Sequence, residues 1–289
     1  MDYKNPDASV STKWLRENLT SPNISILDAS FHLPSTNRNA EKEFEQEHIP
    51  SAAFFDINKI ADTSINMPHM LPKKDQFSKS VGELGISNQT HVICYDTNAG
   101  AMAAMRVWWT FRIFGHKKIS VLNGGLSKWK KENAPVEDGF KKKHAQSYNA
   151  EFNINLVKNF DEILANIETQ DFQLVDARSN GRFRGVEDEP RLDMRKGHIQ
   201  NSINMPFTDL FDPDNLMQIR NSTELMSIIS KAGVDTNKPI TSTCGSGVTA
   251  APLVFALYLL GYSSASIYDG SWAEWGARSD TPIETEYSE

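Results

Sequence analysis

Two tandem α/β domains, each a mostly parallel sheet flanked by helices, are what this sequence predicts, and three observations predict them. Short β-branched runs alternate with longer apolar-periodic runs along the whole chain, the pattern of strands and crossover helices. The pattern is written twice: Asp28 and Asp176 lie 148 residues apart, His48 and His198 150, Asp96 and Cys244 148, Trp129 and Trp275 146. Near-constant offsets of this kind mark a duplicated unit. Finally, 289 residues at 39% hydrophobic content suffice for two cores, given roughly 150 residues per domain.

Taken in order, the first copy opens with a helix over residues 12–19, N-capped by Ser11, then a buried strand over 24–29 that contains Asp28. Residues 44–57 (FEQEHIPSAAFFDI) form an irregular segment leading into a short strand. A strand over 91–95 precedes a helix from Ala99 that ends at Gly115, and a strand over 119–122 leads through Asn123-Gly124-Gly125 to a short helix ending near Trp129. The second copy repeats the order, with a helix over 161–168, a strand over 172–177, GHIQNSINMPF (197–207) echoing EHIPSAAFFDI, and a helix over 223–232. A strand-loop-helix around Cys244 follows, then a strand over 266–268 and a last turn to Trp275. The boundary falls in 133–151, which holds Pro135, Gly139 and a lysine run but little periodicity. The expected division is a first domain over 1–138, a linker over 139–151 whose basic run KKKHAQ (141–146) reads as solvated, and a second domain over 152–289.

Composition excludes several functions. A net charge of −7 with scattered lysines gives no electrostatic basis for nucleic-acid binding. No apolar run approaches the ~18 residues of a membrane span, and the N-terminus lacks a basic start and apolar core. Cys94 and Cys244, the two cysteines, make neither a secreted disulfide framework nor a metal-binding CxxC. The expectation is a soluble protein of a reducing compartment, the cytoplasm, with no metal and no organic cofactor.

Chemistry concentrates at Cys244. A β-branched run, 240–243, stops at the cysteine; Gly245-Ser246-Gly247 follows, and an apolar run over 248–260 ends at Gly261. The order puts a thiol at a helix N-terminus, where unpaired N–H groups and the helix dipole favour thiolate. The glycines let backbone amides approach whatever sits on the sulfur. Core packing alone does not call for Gly-Ser-Gly directly after a cysteine. In the first copy the equivalent position is Asp96, which supplies no thiol, so that domain reads as a scaffold forming one wall of an interdomain cleft. Cys94, inside an apolar strand, reads as a packed thiol. A cysteine phosphatase is excluded, because C-x5-R needs arginine where Ala250 stands.

The loop Cys244-Gly245-Ser246-Gly247-Val248-Thr249 resembles the active-site loop of the rhodanese-type sulfurtransferases. The resemblance extends over nearly the whole chain, through the HIP segment at 48–50, MPHMLP at 67–72, GRFRGVEDEPR at 181–191 and DGSWAEW at 269–275. It implies two tandem rhodanese-like domains, the second catalytic, and sulfur carried as a Cys244 persulfide. Within the family the CGSGVT form goes with 3-mercaptopyruvate as donor, whereas thiosulfate-using members have CRKGVT. By the same resemblance Cys244, Ser246 and His69 are catalytic, His69 as a hydrogen-bond partner of Ser246 that tunes proton transfer. Arg182 and Arg191, with Gly245, Gly247, Val248 and Thr249, bind substrate; a planar guanidinium suits an α-keto acid carboxylate. The alternative for the arginines is an ordinary ion-pair network with Glu187, Asp188 and Glu189. The family's acidic residue eleven positions before the histidine is Asn58 here, and Asp56 and Asp62 do not match it. His48 and His198, present in both copies, read as braces. The acceptor is a thiol, thioredoxin being one candidate, or cyanide in vitro. Two other functions stay open at this point, a thiosulfate sulfurtransferase and a non-catalytic rhodanese-like docking module.

Overall fold

The structure is a computed structural model that describes residues 2–33, 36–97 and 103–286. In the first half, β1 (Ser9–Val10), β2 (Ile24–Asp28), β3 (Ala53–Phe54), β4 (His91–Tyr95) and β5 (Ile119–Leu122) form a parallel sheet in the order β1-β5-β4-β2-β3. In the second half come β6 (Val157–Lys158), β7 (Gln173–Asp176), β8 (His198–Ile199), β9 (Ile203–Asn204), β10 (Phe211–Asp212), β11 (Gln218–Ile219), β12 (Ile240–Thr243), β13 (Ser266–Tyr268) and β14 (Ile283–Glu284). The parallel sheet there runs β6-β13-β12-β7-β9, while β8 with β14 and β10 with β11 make short antiparallel ribbons. The two five-stranded orders correspond strand for strand, so the duplication is one of topology. Central strands β4 and β12 hold matching places; Asp96 follows one and Cys244 the other.

The helices, in chain order, are α1 (Thr12–Asn18), α2 (Ala40–Gln46), α3 (Lys74–Glu83), α4 (Ala103–Ile113), α5 (Gly125–Lys131), α6 (Phe160–Thr169), α7 (Asn180–Phe183), α8 (Ser222–Lys231), α9 (Ala251–Leu259) and α10 (Ser271–Trp275). Local chemistry starts several of them: Ser11 Oγ accepts from Trp14 N–H, and Asn159 with Glu162 and Asn221 with Glu224 close capping boxes on α6 and α8. Helices α2, α3 and α7 were not expected from sequence. α3 buries only Phe77, Val81 and Gly82, too sparse an apolar stripe to read against its polar remainder. The part of the expected helix from Ala99 that spans 99–102 lies outside the described residues. The helix expected from Val248 starts three residues later at Ala251, because Gly247 takes φ +72 and Pro252 suits a first turn.

Within residues 139–151 the lysine run 141–146 is exposed apart from half-buried Lys143, and the segment's far end packs against the first sheet's helices. Gln146 N–H donates to Gly82 O and Glu151 N–H to Phe114 O, while Tyr148 and Ala150 are buried. The halves meet through α4 and α9, whose residues are apolar nearly all round; that all-round burial puts each helix between two layers. Trp108 stands edge-on to Phe255 at 4.9 Å, and one continuous core runs from Leu27 to Ile267 through this contact. His48 and His198 play matching roles: each Nδ1 bonds a backbone oxygen, Phe44 O or Phe183 O, and each ring stacks on that phenylalanine.

Candidate active site

Cys244 leaves the C-terminal end of β12, which lies between β7 and β13. Loops at the C-terminal ends of parallel strands are where open α/β sheets place ligands. The cysteine is 1% exposed and Ser246 is buried beside it. Its backbone is held from one side: Cys244 N–H donates to Ser271 Oγ at 3.3 Å, Trp272 N–H donates to Cys244 O and Ala273 N–H to Gly245 O, both at 2.9 Å. By contrast, the N–H groups of Gly245, Ser246, Gly247, Val248 and Thr249 have no hydrogen-bond partner among the described residues. Buried amides rarely go unpaired. A run of them around a thiol is a cradle for negative charge.

The sequence-derived arginines are both here but differ in state. A Cβ on Gly245 would stand 3.0 Å from Arg182 Nη2 and 3.8 Å from Arg191 Nη1, so both guanidinium groups press on the loop. Arg182 grips the buried Glu189 carboxylate with Nε at 3.2 Å and Nη2 at 2.6 Å. Glu189 also accepts from Arg178 Nη1 at 2.7 Å, and Arg178 in turn pairs with Asp176 at 2.6 Å. The ion-pair reading is therefore correct for Arg182, through Glu189 alone; Glu187 bonds Ser179 and Asp188 pairs with Lys196. Arg191 makes no hydrogen bond or ion pair to a described residue. Burial pushes its pKa down; the Cys244 charge opposes that shift, and the like charge of Arg182 adds to it. Two arginines against two carboxylates cancel, and Arg191 is the surplus cation.

His69 comes from the first half with φ +60 and is buried, its ring edge-on to Phe31 at 4.7 Å. Neither ring nitrogen has a partner among the described residues, so the expected bond to Ser246 is not formed. Burial, then the charges of Arg106 and Arg191, push its pKa down to about 3, which leaves the imidazole neutral. No acid among the described residues bonds it: Asp56 accepts from Asn58 N–H, and Asp62 accepts from Ser64 on the surface. Cys94 is fully buried with Sγ against Ala104 O and Ser120 O, and burial pushes its pKa well up.

Sequence reading missed Arg106 and Asp269. Arg106 lies on α4, is 3% exposed, and crosses between the halves: Nη2 donates to Asp269 Oδ1 and to His69 O, each at 2.6 Å, and Nη1 donates to Gly247 O at 3.1 Å. The signal available was an arginine inside an apolar helical run, which must find a partner once buried.

A duplicated parallel α/β unit with a thiol loop on the second copy and arginines around it defines a class of anion-handling cysteine proteins. The rhodanese-like domain pattern matches residues 11–132 and 159–278, and the chain belongs to that family. It is 41% identical over 276 residues to the 3-mercaptopyruvate sulfurtransferase of Homo sapiens, covering 94% of this chain and 92% of the human protein. It is also 42% identical over 288 residues to the thiosulfate sulfurtransferase of Mus musculus, covering 98% and 95%. The crystal structure of SseA from Escherichia coli, described as a 3-mercaptopyruvate sulfotransferase of rhodanese fold, superposes with a TM-score of 0.83 at 36% identity, covering 92% of this chain and 98% of that one.

Proposed function

We propose that the protein is a sulfurtransferase that takes sulfur from 3-mercaptopyruvate onto Cys244 and passes it to a thiol. The observation that carries this is the run of unpartnered N–H groups over 245–249 beside the unpaired Arg191. The cradle suits a sulfur anion on Cys244, and Arg191 suits one carboxylate.

The first half-reaction begins with the Cys244 thiolate attacking the donor's sulfur, forming an S–S bond as the C–S bond breaks. The electron pair of that bond leaves on carbon as the enolate of pyruvate. The enolate takes a proton, and the donor's thiol proton makes up the balance, so Cys244 is left as a persulfide anion held by the loop amides. Ser246 Oγ, two residues along the loop and with no bond to a described residue, is the hydroxyl proposed to relay that proton; the neutral His69 ring offers two further unpartnered nitrogens. Arg191 holds the carboxylate, and Arg182, half committed to Glu189, supports the keto oxygen. In the second half-reaction an acceptor thiolate takes the outer sulfur and restores the Cys244 thiolate. Thioredoxin is one candidate acceptor, and the cytoplasm is the proposed location.

A thiosulfate donor is the second reading, favoured by the similar identity to thiosulfate sulfurtransferases. Against it stand the neutral Gly245 and Ser246, which offer no cation to a dianion. A docking module without activity leaves the open cradle unexplained.

The test is a steady-state comparison of the two donors with cyanide as acceptor, together with intact-mass analysis of the donor-treated protein. The expected result is a higher kcat/KM for 3-mercaptopyruvate and a single added sulfur that Cys244→Ser abolishes and Cys94→Ser keeps. No thiocyanate from either donor would overturn the assignment.

A further inference from the structure

The domain without the thiol supplies more than a wall of the cleft. Its Arg106 does more than fill space. One guanidinium ties together three segments that are far apart in sequence: the active loop at Gly247 O, the first-half turn at His69 O, and the β13–α10 turn at Asp269 Oδ1. The second oxygen of Asp269 completes the tie by accepting Leu71 N–H at 2.8 Å, two residues beyond His69. The guanidinium lies over the Trp109 ring at 4.4 Å, and both charged side chains are under a tenth exposed.

The consequence for the loop follows from peptide geometry. In a planar trans peptide the C=O and N–H point in opposite directions. By fixing Gly247 O, Arg106 turns the Val248 N–H to the other face of that peptide, away from the guanidinium. Val248 N–H is one of the unpartnered amides of the cradle. Gly247 is the residue such a turn requires: its φ is +72, and a Cβ there would stand 2.7 Å from Arg106 Nη1 and 3.0 Å from Asp269 O. The same guanidinium fixes the carbonyl of His69, a non-glycine residue at φ +60.

We infer that Arg106, latched to Asp269, is a positioning residue for sulfur transfer: it sets the peptide at Gly247–Val248 so that the cradle amide meets the charge on the sulfur, and thereby makes the thiol-less domain an obligatory part of the active site. Arg106 reaches the reacting atoms only through the loop. The inference rests on the sulfurtransferase reading.

Two variants separate positioning from mere structural pairing. Arg106→Lys keeps a cation for Asp269 but cannot present a planar fork to three acceptors at once. Arg106→Gln with Asp269→Asn removes the ion pair without leaving a buried lone charge. Each is measured for thermal midpoint, for kcat and KM with 3-mercaptopyruvate, and for single-turnover pyruvate release. The expected result for Arg106→Lys is a folded protein with a lowered midpoint, because buried acceptors lose their donor, with kcat and the single-turnover rate down by roughly tenfold or more, as when one preorganised donor is lost, and KM within a few-fold. The double variant should show the same fall in kcat whatever its midpoint. A folded Arg106→Lys or double variant with kcat within twofold of wild type would overturn the inference. Should the wild-type protein itself release no pyruvate, the donor assignment fails, not the role of Arg106. The same variants read with thiosulfate and cyanide then decide Arg106 separately.

Discussion

Replacing Arg191 with alanine should separate substrate binding from scaffold more cleanly than replacing Arg182. Arg191 has no carboxylate or carbonyl partner among the described residues, whereas Arg182 gives Nε and Nη2 to Glu189. A hydrogen bond to a charged group contributes about 1.5–3 kcal/mol. At about 1.36 kcal/mol per decade, losing one from the donor carboxylate lowers kcat/KM by roughly ten- to a hundredfold. The upper end is expected for Arg191→Ala, whose fork is free to bind bidentately, and the lower end for Arg182→Ala. Arg191→Lys should recover only part, because an ammonium lacks the fork. Stability offers a second readout. Arg191 is a desolvated cation with no partner among the described residues, so its removal should leave the thermal midpoint unchanged or raise it. Removing Arg182 leaves Glu189 to Arg178 alone and should lower the thermal midpoint. The assay is steady-state pyruvate release from 3-mercaptopyruvate, with thiosulfate-dependent thiocyanate formation as the control. Thiosulfate has no planar carboxylate and should lose less. Equal losses for the two donors, or a larger loss for Arg182→Ala than for Arg191→Ala, would refute the assignment of Arg191 as the carboxylate anchor.

Two further outcomes are expected. Gly245→Arg with Ser246→Lys should shift preference toward thiosulfate and weaken 3-mercaptopyruvate turnover, because it adds cations and removes the Ser246 hydroxyl; the new side chain at 245 must displace Arg182, whose Nη2 lies 3.0 Å from the Cβ position. An unchanged donor ratio would show that the loop charge does not set specificity. Asp28→Asn should stabilise the protein at pH 7.5 and not at pH 4. Burial, with Asp96 adding, pushes the Asp28 carboxyl up from 3.8 to about 6, so between these values the folded chain holds a proton the unfolded chain has released. Stability falls as pH rises through that window, and above it the buried charge costs about 3 kcal/mol at 1.36 kcal/mol per pKa unit. Thermal midpoints of the two proteins that stay parallel from pH 4 to 7.5 would contradict it.

Local chemistry made much of this protein legible in advance. The strand ending at Thr243, the thiol, the glycines and the duplicated spacing are all features of neighbouring residues, so the α/β class, the sheet repeat and the Cys244 loop follow from the sequence. The asymmetry between Asp96 and Cys244 is equally a matter of one residue type at one position. What depends on partners distant in sequence was not legible. Arg106 and Asp269 are 163 residues apart, and nothing near either one announces the other. Only the packing of α4 on α9 brings them together. Arg182 and Arg191 look alike in the segment that carries them, and only the position of Glu189 commits one and leaves the other unpaired. The His69 case has the same cause in reverse. The motif puts a histidine at the site, but the burial and cations that keep it neutral, and the placement that leaves its ring nitrogens without a partner among the described residues, come from the surrounding fold. Electrostatic energy depends on distance and desolvation, and both are set by tertiary structure.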